Sequence, residues 1–274
     1  HLGLIRGKLG EWQKALDTFD EALPLFRSSG ETQGEVMALS LLGSIHLRLG
    51  KPEELLSYYK KVLEVIRATG SPEGEAAVLT ALGPLYVETG QPEKARESLE
   101  KAASVFHSLG LRRPEAAALL ALGLFYNYQL DRQKGLEFFG KALPLFRAEH
   151  DRFGEGAALG GLCITQLVSS DYTKGFENCY EAQALAHATG DRQNEAFILK
   201  NVAMAERNRA NLAAAQTAID SAIAIIESLR TKVINPELRL SYFEDSHDYY
   251  EFYIDLLMQL HTLHPNDGYD SKAL

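Results

Sequence analysis

The chain contains few of the residues that covalently stabilise small secreted domains. Only two of its 274 residues are cysteines, Cys163 and Cys179. Two cysteines are too few for a disulfide framework, so free thiols in a reducing compartment are the simpler interpretation. Both stand at positions that pack between helices elsewhere in the chain, which favours burial over a role as nucleophile. The composition therefore predicts a cytoplasmic protein.

Long apolar runs and an excess of positive charge are also lacking. No run approaches the roughly 18 apolar residues that a membrane-spanning helix needs. The strongest short run is "AIAII" at 222–226, and Glu227 ends it. The 37 acidic residues outnumber the 28 basic ones, giving a formal charge of −9. This balance argues against a nucleic-acid partner and against a membrane partner, because phosphates and anionic lipids attract cationic surfaces.

Motifs of cofactor chemistry are absent as well. The sequence has no P-loop, no dinucleotide-binding fingerprint and no nucleophile elbow. We therefore expect neither a cofactor nor catalysis.

Hydrophobic residues make up 46% of the chain, which is enough for a continuous core and argues against disorder.

What the sequence does contain is a repeat with a period of 40 residues. One column of the repeat holds Leu2, Leu42, Leu82, Leu122 and Leu162. The next column holds Gly3, Gly43, Gly83 and Gly123, followed by Cys163 and Ala203. A fixed period of this length is typical of proteins built from stacked supersecondary units.

Each unit carries two amphipathic stretches. In the second unit, apolar residues recur at three- and four-residue spacing over 38–49 and again over 55–66, which predicts two helices. Pro52 falls in the first turn of the second helix, and Ser71 is a candidate N-cap before Pro72. One helix pair cannot bury its apolar face alone, so the repeat predicts an all-α fold, an α-solenoid of stacked pairs.

The columns resemble the tetratricopeptide repeat (TPR). The third unit supplies its pattern of large, small and aromatic residues in Leu82, Gly83, Tyr86, Ala95, Leu99 and Ala102. The resemblance covers about residues 1–230, or five and a half to six repeats with the first helix truncated. It implies a right-handed superhelix of antiparallel helix pairs that binds a protein or peptide ligand on its concave face. The chain departs from the family in its period, which is usually about 34 residues, and in lacking the helix-ending proline.

Some members of this family bind a peptide carboxylate with a Lys and Asn clamp, which is incomplete here. Lys200 and Asn201 match it, but Met204 replaces the second Asn. The concave lining is instead mostly apolar, and we expect it to accept an amphipathic helix or an extended peptide, unless the superhelix curls so tightly that its residues pack on one another. The candidate partner-binding residues are Pro84, Val87, Glu88, Leu120, Leu124, Asn127, Tyr128, Ile164, Leu167, Lys200, Met204 and Arg207.

Two charged columns recur beside the apolar ones. The acidic column is Glu35, Glu75, Glu115, Glu155 and Glu195. The basic column is Arg27, Arg67, His107, Arg147 and His187. A metal ladder and a stripe for an acidic partner are the functional interpretations. Stabilisation of helix ends is the simpler one, since acids favour a helix N-terminus and bases a C-terminus.

Histidines near the C-terminus raise the question of a metal site. "HTLH" at 261–264 places two imidazoles three residues apart, with Asp267 nearby, but the spacing matches no zinc motif. The sequence "DSHD" at 245–248 is no more specific. We interpret both as solvated parts of a helix and predict no metal.

After residue 230 the repeat stops. Asn235 and Pro236 are typical of a helix start, and 231–264 reads as one long helix, rich in aromatic residues, that caps the solenoid. Residues 265–274 are predicted to be a turn and the start of a helix that the end of the fragment cuts off. The stretch "INPELRLSYFEDSHDYYEFYIDLLMQLH" and "GYDSKAL" resembles the segment that joins TPR arrays to a CHAT domain in bacterial proteins.

CHAT domains are caspase-like and use a His/Cys dyad, which these residues do not contain. The resemblance implies that the chain is the non-catalytic sensing or scaffolding part of a larger bacterial protein, with the CHAT domain as a partner in cis. The alternative is a free-standing TPR adaptor that binds a peptide or amphipathic helix of a separate protein.

Overall fold

The computed structural model describes residues 12–48, 51–232, 236–265 and 268–269. Within these ranges the chain forms twelve α-helices and no strand. They are α1 (Trp12–Ser29), α2 (Thr32–Arg48), α3 (Pro52–Ala68), α4 (Pro72–Glu88), α5 (Pro92–Ser108), α6 (Arg112–Tyr128), α7 (Arg132–Ala148), α8 (Arg152–Val168), α9 (Tyr172–Thr189), α10 (Arg192–Asn208), α11 (Leu212–Lys232) and α12 (Pro236–Leu263). The all-α solenoid class is confirmed, and the last helix begins at Pro236 as predicted.

The helices recur at even intervals. From α1 to α11 they begin at residues 12, 32, 52 and so on to 212, each 20 residues after the one before. Short turns separate them, and neighbouring helices from α1 to α6 and from α7 to α12 run antiparallel and pack side by side. We call α2, α4, α6, α8 and α10 the first helices, because each opens a 40-residue unit of the sequence repeat.

The helix starts depend on side-chain caps and proline. Ser71 accepts a hydrogen bond from the backbone N–H of Gly74 at 3.0 Å, which confirms it as the N-cap of α4. Asp151 does the same for the N–H of Gly154 at the start of α8. Pro52 and Pro72 stand in the first turn, where a missing N–H costs nothing.

The turns between helices require a left-handed residue. Glycines supply it at residues 30, 70, 90, 110 and 190, with φ between 68° and 74°. Leu130, His150, Ser170 and Ala210 take the same conformation, with φ between 54° and 62°. A side chain in this region is strained by its own Cβ, so these turns are less favourable than the glycine turns.

The chain divides into two compact units, His1–Gln129 (unit 1) and Leu130–Leu274 (unit 2). In unit 1, the first helices pack on the second helices through glycine. A Cβ at Gly83 of α4 would lie 2.5 Å from Leu99 of α5, and one at Gly43 of α2 would lie 2.7 Å from Leu55 of α3. Such distances are shorter than real Cβ contacts, so only glycine lets the large residue fill the gap.

In unit 2, the expectation of free thiols is wrong. Cys163 of α8 and Cys179 of α9 form a disulfide, and both residues are fully buried. Their Cα atoms are 4.9 Å apart, which is the separation that a disulfide requires. They occupy the columns of Gly83 and Leu99, so a covalent bond stands where unit 1 has a contact between a small and a large residue.

The last two helices close the core of unit 2. Of the described residues, only Leu212–Thr231 of α11 are apolar and long enough to cross a membrane by length and composition, with a mean hydropathy of 1.3. This stretch packs against α10 and α12, and its Ile219 is fully buried in the core. Leu256 of α12 is also fully buried there, so one face of each helix contributes to this core.

Adjacent glycines of α8 test the packing. A Cβ at Gly161 would lie 2.6 Å from the buried ring of Phe139, whereas one at Gly160 would meet nothing within 4 Å. We expect Gly161→Ala to destabilise the fold by about 1–3 kcal/mol through overpacking. Gly160→Ala should stabilise it by up to about 1 kcal/mol through helix propensity. Urea denaturation of both variants measures the difference, and equal midpoints would contradict this packing.

Reduction tests the disulfide. The disulfide closes a short loop between neighbouring helices. Its reduction by dithiothreitol should therefore lower the free energy of unfolding by about 2–3 kcal/mol. The control is the double variant Cys163→Gly, Cys179→Leu, which introduces the residue pair found at Gly83 and Leu99. Its melting temperature should not respond to dithiothreitol. A wild-type melting temperature that is equally unresponsive would show that the thiols are not paired.

Candidate partner-binding site

Unit 1 contains a cavity between the C-terminal halves of α4 and α6, with α5 behind it. Its volume is about 520 Å³, within the range of ligand-binding sites in proteins. The lining residues are Gly83, Pro84, Val87, Glu88, Leu99, Ala121, Leu124, Phe125 and Tyr128. Apart from the carboxylate of Glu88 and the hydroxyl of Tyr128, the lining side chains are apolar. The cavity therefore suits an apolar ligand group.

The inner wall of the cavity is closed by buried side chains. Leu99 is only 1% exposed and packs on Gly83, so the contact that joins α4 to α5 also forms this wall. Phe125 is buried and meets Tyr126 edge to face, with ring centroids 5.1 Å apart. A rigid apolar wall of this kind presents a preformed surface, which lowers the entropy cost of binding.

The outer rim is exposed. Leu124 is 56% exposed and Tyr128 is 69% exposed, and the two lie one turn apart on α6. Across the cavity, Pro84 and Glu88 of α4 are exposed and Val87 is half-buried. Large apolar side chains on an open rim are unusual on a surface that binds nothing.

The structure brings together five of the twelve residues predicted for the binding surface. Pro84, Val87, Glu88, Leu124 and Tyr128 line the cavity. The other two predicted residues of unit 1, at 120 and 127, lie half-buried on α6 and are not among its lining residues.

Sequence reasoning missed the residues of the inner wall. Leu99, Ala121 and Phe125 were absent from the predicted surface, although they line the cavity. The repeat pattern predicts that residue 99 is buried in the core. The pattern does not show that a buried side chain can also line a cavity. The signal that was present is Gly83, because a residue without a side chain leaves space beside its neighbours.

In unit 2, two predicted residues belong to the core. Leu167 is buried and packs on Gly175, where a Cβ would lie 2.7 Å from it. Ile164 is half-buried against the core of the same unit. These two offer little surface to a partner.

The predicted cations of unit 2 already have partners in α12. Lys200 forms an ion pair with Asp248, and its ammonium lies 4.7 Å from the ring centroid of Tyr249. The guanidinium of Arg207 lies 4.4 Å from the ring centroid of Phe252. Both cations therefore hold α12 against α10, and their place in a partner-binding surface stays a prediction. Met204 remains partly exposed.

The acidic and basic columns pair with each other. Each base in the last turn of one helix contacts the acid in the first turn of the next. The distances are 2.7 Å for Arg27–Glu35, 3.0 Å for Arg67–Glu75, 2.8 Å for His107–Glu115, 2.7 Å for Arg147–Glu155 and 3.3 Å for His187–Glu195. Both columns thus stabilise helix ends, as the simpler interpretation predicted, and they do so jointly.

Glu75 contacts two cations. It contacts Lys101 at 2.7 Å as well as Arg67. The hydrogen bond from Lys101, together with that from Arg67 and the charge of both cations, lowers the pKa of Glu75 despite its partial burial. The carboxylate therefore stays ionised to lower pH than a free glutamate.

The described residues include no group of three His, Cys, Asp or Glu side chains arranged to hold a metal ion. His261 lies in the last turn of α12, and Asp267 falls outside the described residues. His247 of the "DSHD" segment contacts Glu251 at 3.1 Å along the same helix. Cys163 is buried in a disulfide, so it presents no thiolate to a substrate.

The regular helix pairs can now be compared with known proteins. Residues 34–106 match the tetratricopeptide repeat. This segment holds α2 to α5 almost entire, including the Gly43 and Gly83 contacts. A search of curated proteins found no match to the chain.

Several solved structures share the TPR-like fold. BtubC from P. vanneervenii is 20% identical, with 69% of this chain and 78% of that chain covered at a TM-score of 0.60. A Signal Transduction ATPase with Numerous Domains, which has a TPR sensor and comes from Pyrococcus horikoshii, is 17% identical with a TM-score of 0.72. Aspartyl phosphate phosphatase F from Bacillus subtilis is 13% identical, with 98% and 66% covered and a TM-score of 0.72.

These likenesses establish the fold. The match to the archaeal ATPase covers 99% of this chain but only 40% of that protein. In that protein, the region of similar fold is thus one part of a longer chain.

The ion pairs of Glu75 predict a response to acid. Because its pKa is lowered in the folded state, its contribution to stability is present above the pKa of the unfolded chain and is lost as pH falls through the folded pKa. Glu75→Gln should cost up to about 1 kcal/mol near neutral pH, since the pair is partly exposed. This cost should shrink as pH falls to about 3.

The matched control is Glu97→Gln on α5, whose exposed side chain forms no ion pair with any other residue that the structure describes. Urea denaturation at several pH values measures both variants against wild type. A cost of Glu75→Gln that does not change with pH would contradict an ionised, paired carboxylate.

Proposed function

We propose that the chain is a non-catalytic protein–protein interaction scaffold and that the cavity of unit 1 binds an apolar segment of the partner protein. The observation that carries this proposal is the exposure of Leu124 and Tyr128 beside a preformed apolar cavity. Solvent-exposed apolar rims of this kind mark interaction surfaces.

The shape of the cavity supports a peptide ligand. The lining residues of α4 and α6 recur at helical spacing, so the cavity lies along the groove between two helices. Such a groove accepts either an amphipathic helix or an extended peptide. Tyr128 suits the role of anchor because it combines a large contact area with a polar tip.

A role within a larger protein is the finer part of the proposal. We assign the chain to the sensing region of a cytoplasmic bacterial TPR–CHAT protein, with the CHAT domain in cis as a partner. The support is the residue pattern over 234–261 and 268–274, and the TPR sensor in the name of the archaeal ATPase shows that such arrays occur inside multidomain proteins. The sparse cysteines no longer support the cytoplasm, because they are paired.

The alternative is a free-standing adaptor whose partner is a separate protein. The sequence of the gene downstream of residue 274 separates the two. A caspase-like domain with a His/Cys dyad there supports the first, and an array that ends without such a domain supports the second.

The repeat unit and the cap are further parts of the proposal. We propose that each first helix and the helix after it form a TPR-type unit of 40 residues over 1–230, which the even spacing of helix starts supports. We further propose that 231–264 cap the array. Phe252, Leu256 and Leu260 of α12 are buried against the core of unit 2, as a capping helix requires.

Binding through the cavity is tested with the partner that wild-type protein captures from cell extract. Tyr128→Ala should weaken the binding of that partner by about 2 kcal/mol, because the substitution removes an exposed aromatic anchor. The double variant Leu124→Glu, Tyr128→Ala should abolish capture. Circular dichroism should show unchanged helicity, since both side chains are more than half exposed.

The control is Tyr180→Ala, which removes a tyrosine of similar exposure, 61%, from α9 of unit 2. It should leave capture intact. A partner captured equally by wild type and by the double variant would place the binding surface elsewhere and overturn the proposal.

A further inference from the structure

Glu88 is the one charged residue that lines the cavity. Its carboxylate is exposed, and among the described residues it forms no hydrogen bond or ion pair. The acids of the repeated column differ in this respect, since Glu75 and its equivalents all contact a base. No lysine or arginine lines the cavity, so the charge of Glu88 is uncompensated there.

The position of Glu88 in its helix is unfavourable on its own. It is the last residue of α4, at the end of a helix where the dipole is negative and a base is preferred. The other first helices end at Arg48, Tyr128, Val168 and Asn208, so none of them places an acid there. A carboxylate held against the local preference, without a partner, is the kind of local conflict that marks functional sites.

The cavity lies at the negative ends of two helices. Apart from Leu99 of α5, its lining residues belong to the C-terminal halves of α4 and α6. The partial negative charge of both helix ends therefore adds to the charge of Glu88 at the mouth. The mouth favours a cation, and the interior favours apolar groups.

We propose that the cavity binds the apolar face of an amphipathic helix that carries a lysine or arginine beside its apolar anchors, with the cation seated against Glu88. This inference rests on the proposed function, because it names the chemistry of the partner at the same site. The preference is opposite to that of a carboxylate clamp, which uses a lysine to bind an acidic group.

Two synthetic peptides of equal length test the charge preference. Both carry the same leucine face on a helix, and the polar face holds lysine and glutamine in one peptide and glutamate and glutamine in the other. Fluorescence anisotropy measures their binding to wild type. The lysine peptide should bind more tightly than the glutamate peptide. Glu88→Gln should lower the affinity for the lysine peptide by about threefold to tenfold. Glu88→Lys should shift the preference toward the glutamate peptide.

Glu97→Gln is the matched control, because it removes the same charge from an exposed, unpaired residue of α5 outside the cavity. It should leave binding unchanged. If both Gln variants weaken the lysine peptide equally, the attraction comes from the net charge of −9, and the inference is overturned.

Leu124→Ser separates failure of the inference from failure of the proposed function. If both peptides bind equally well and the serine variant weakens both, the cavity binds peptides without a charge preference, and only the inference is overturned. If binding does not depend on Leu124, or neither peptide binds at millimolar concentration, both are overturned. The two conclusions are thus distinguishable in one set of titrations.

Discussion

The close approach of a glycine to a large side chain is the contact on which the rest of the structure depends. At Gly83 and Leu99 it sets how near α4 lies to α5, and the same pair forms the inner wall of the cavity. Because interiors pack at nearly constant density, a methyl group added there must displace the leucine. The stability of the helix pair and the shape of the binding surface therefore come from one contact.

Much of the fold was predictable because each unit repeats the same local signals. The apolar stripes, the cap at Ser71 and the start of α12 at Pro236 all depend on residues close in sequence. The pairing of Arg67 with Glu75 was not predicted, although each residue was placed correctly at a helix end. Propensity reasoning treats one helix at a time, and this pair joins the end of one helix to the start of the next.

The errors came from contacts between elements. Cys163 and Cys179 were each recognised as packing positions, but not as positions that face each other, which the column pair Gly83 and Leu99 would have indicated. The contact of Lys200 with Asp248 was not predicted either, because a periodic pattern does not show which later helix covers a position. The exposed residues of the cavity rim were among the predicted residues, because the helical periodicity shows which side chains face outward. The residues of the inner wall were not, because periodicity does not show where the surface is concave.

The left-handed turns give the chain an uneven distribution of strain. The described left-handed turns of unit 1 use glycine, whereas unit 2 keeps glycine at Gly190 but places Leu130, His150, Ser170 and Ala210 in that conformation. Each non-glycine residue there costs on the order of 1 kcal/mol, and unit 2 is also the one that contains the disulfide. The covalent bond offsets the weaker turns within the same unit. In a reducing environment that offset is lost, and α8 and α9 of unit 2 should open to proteolysis and hydrogen exchange more readily than they do with the disulfide intact.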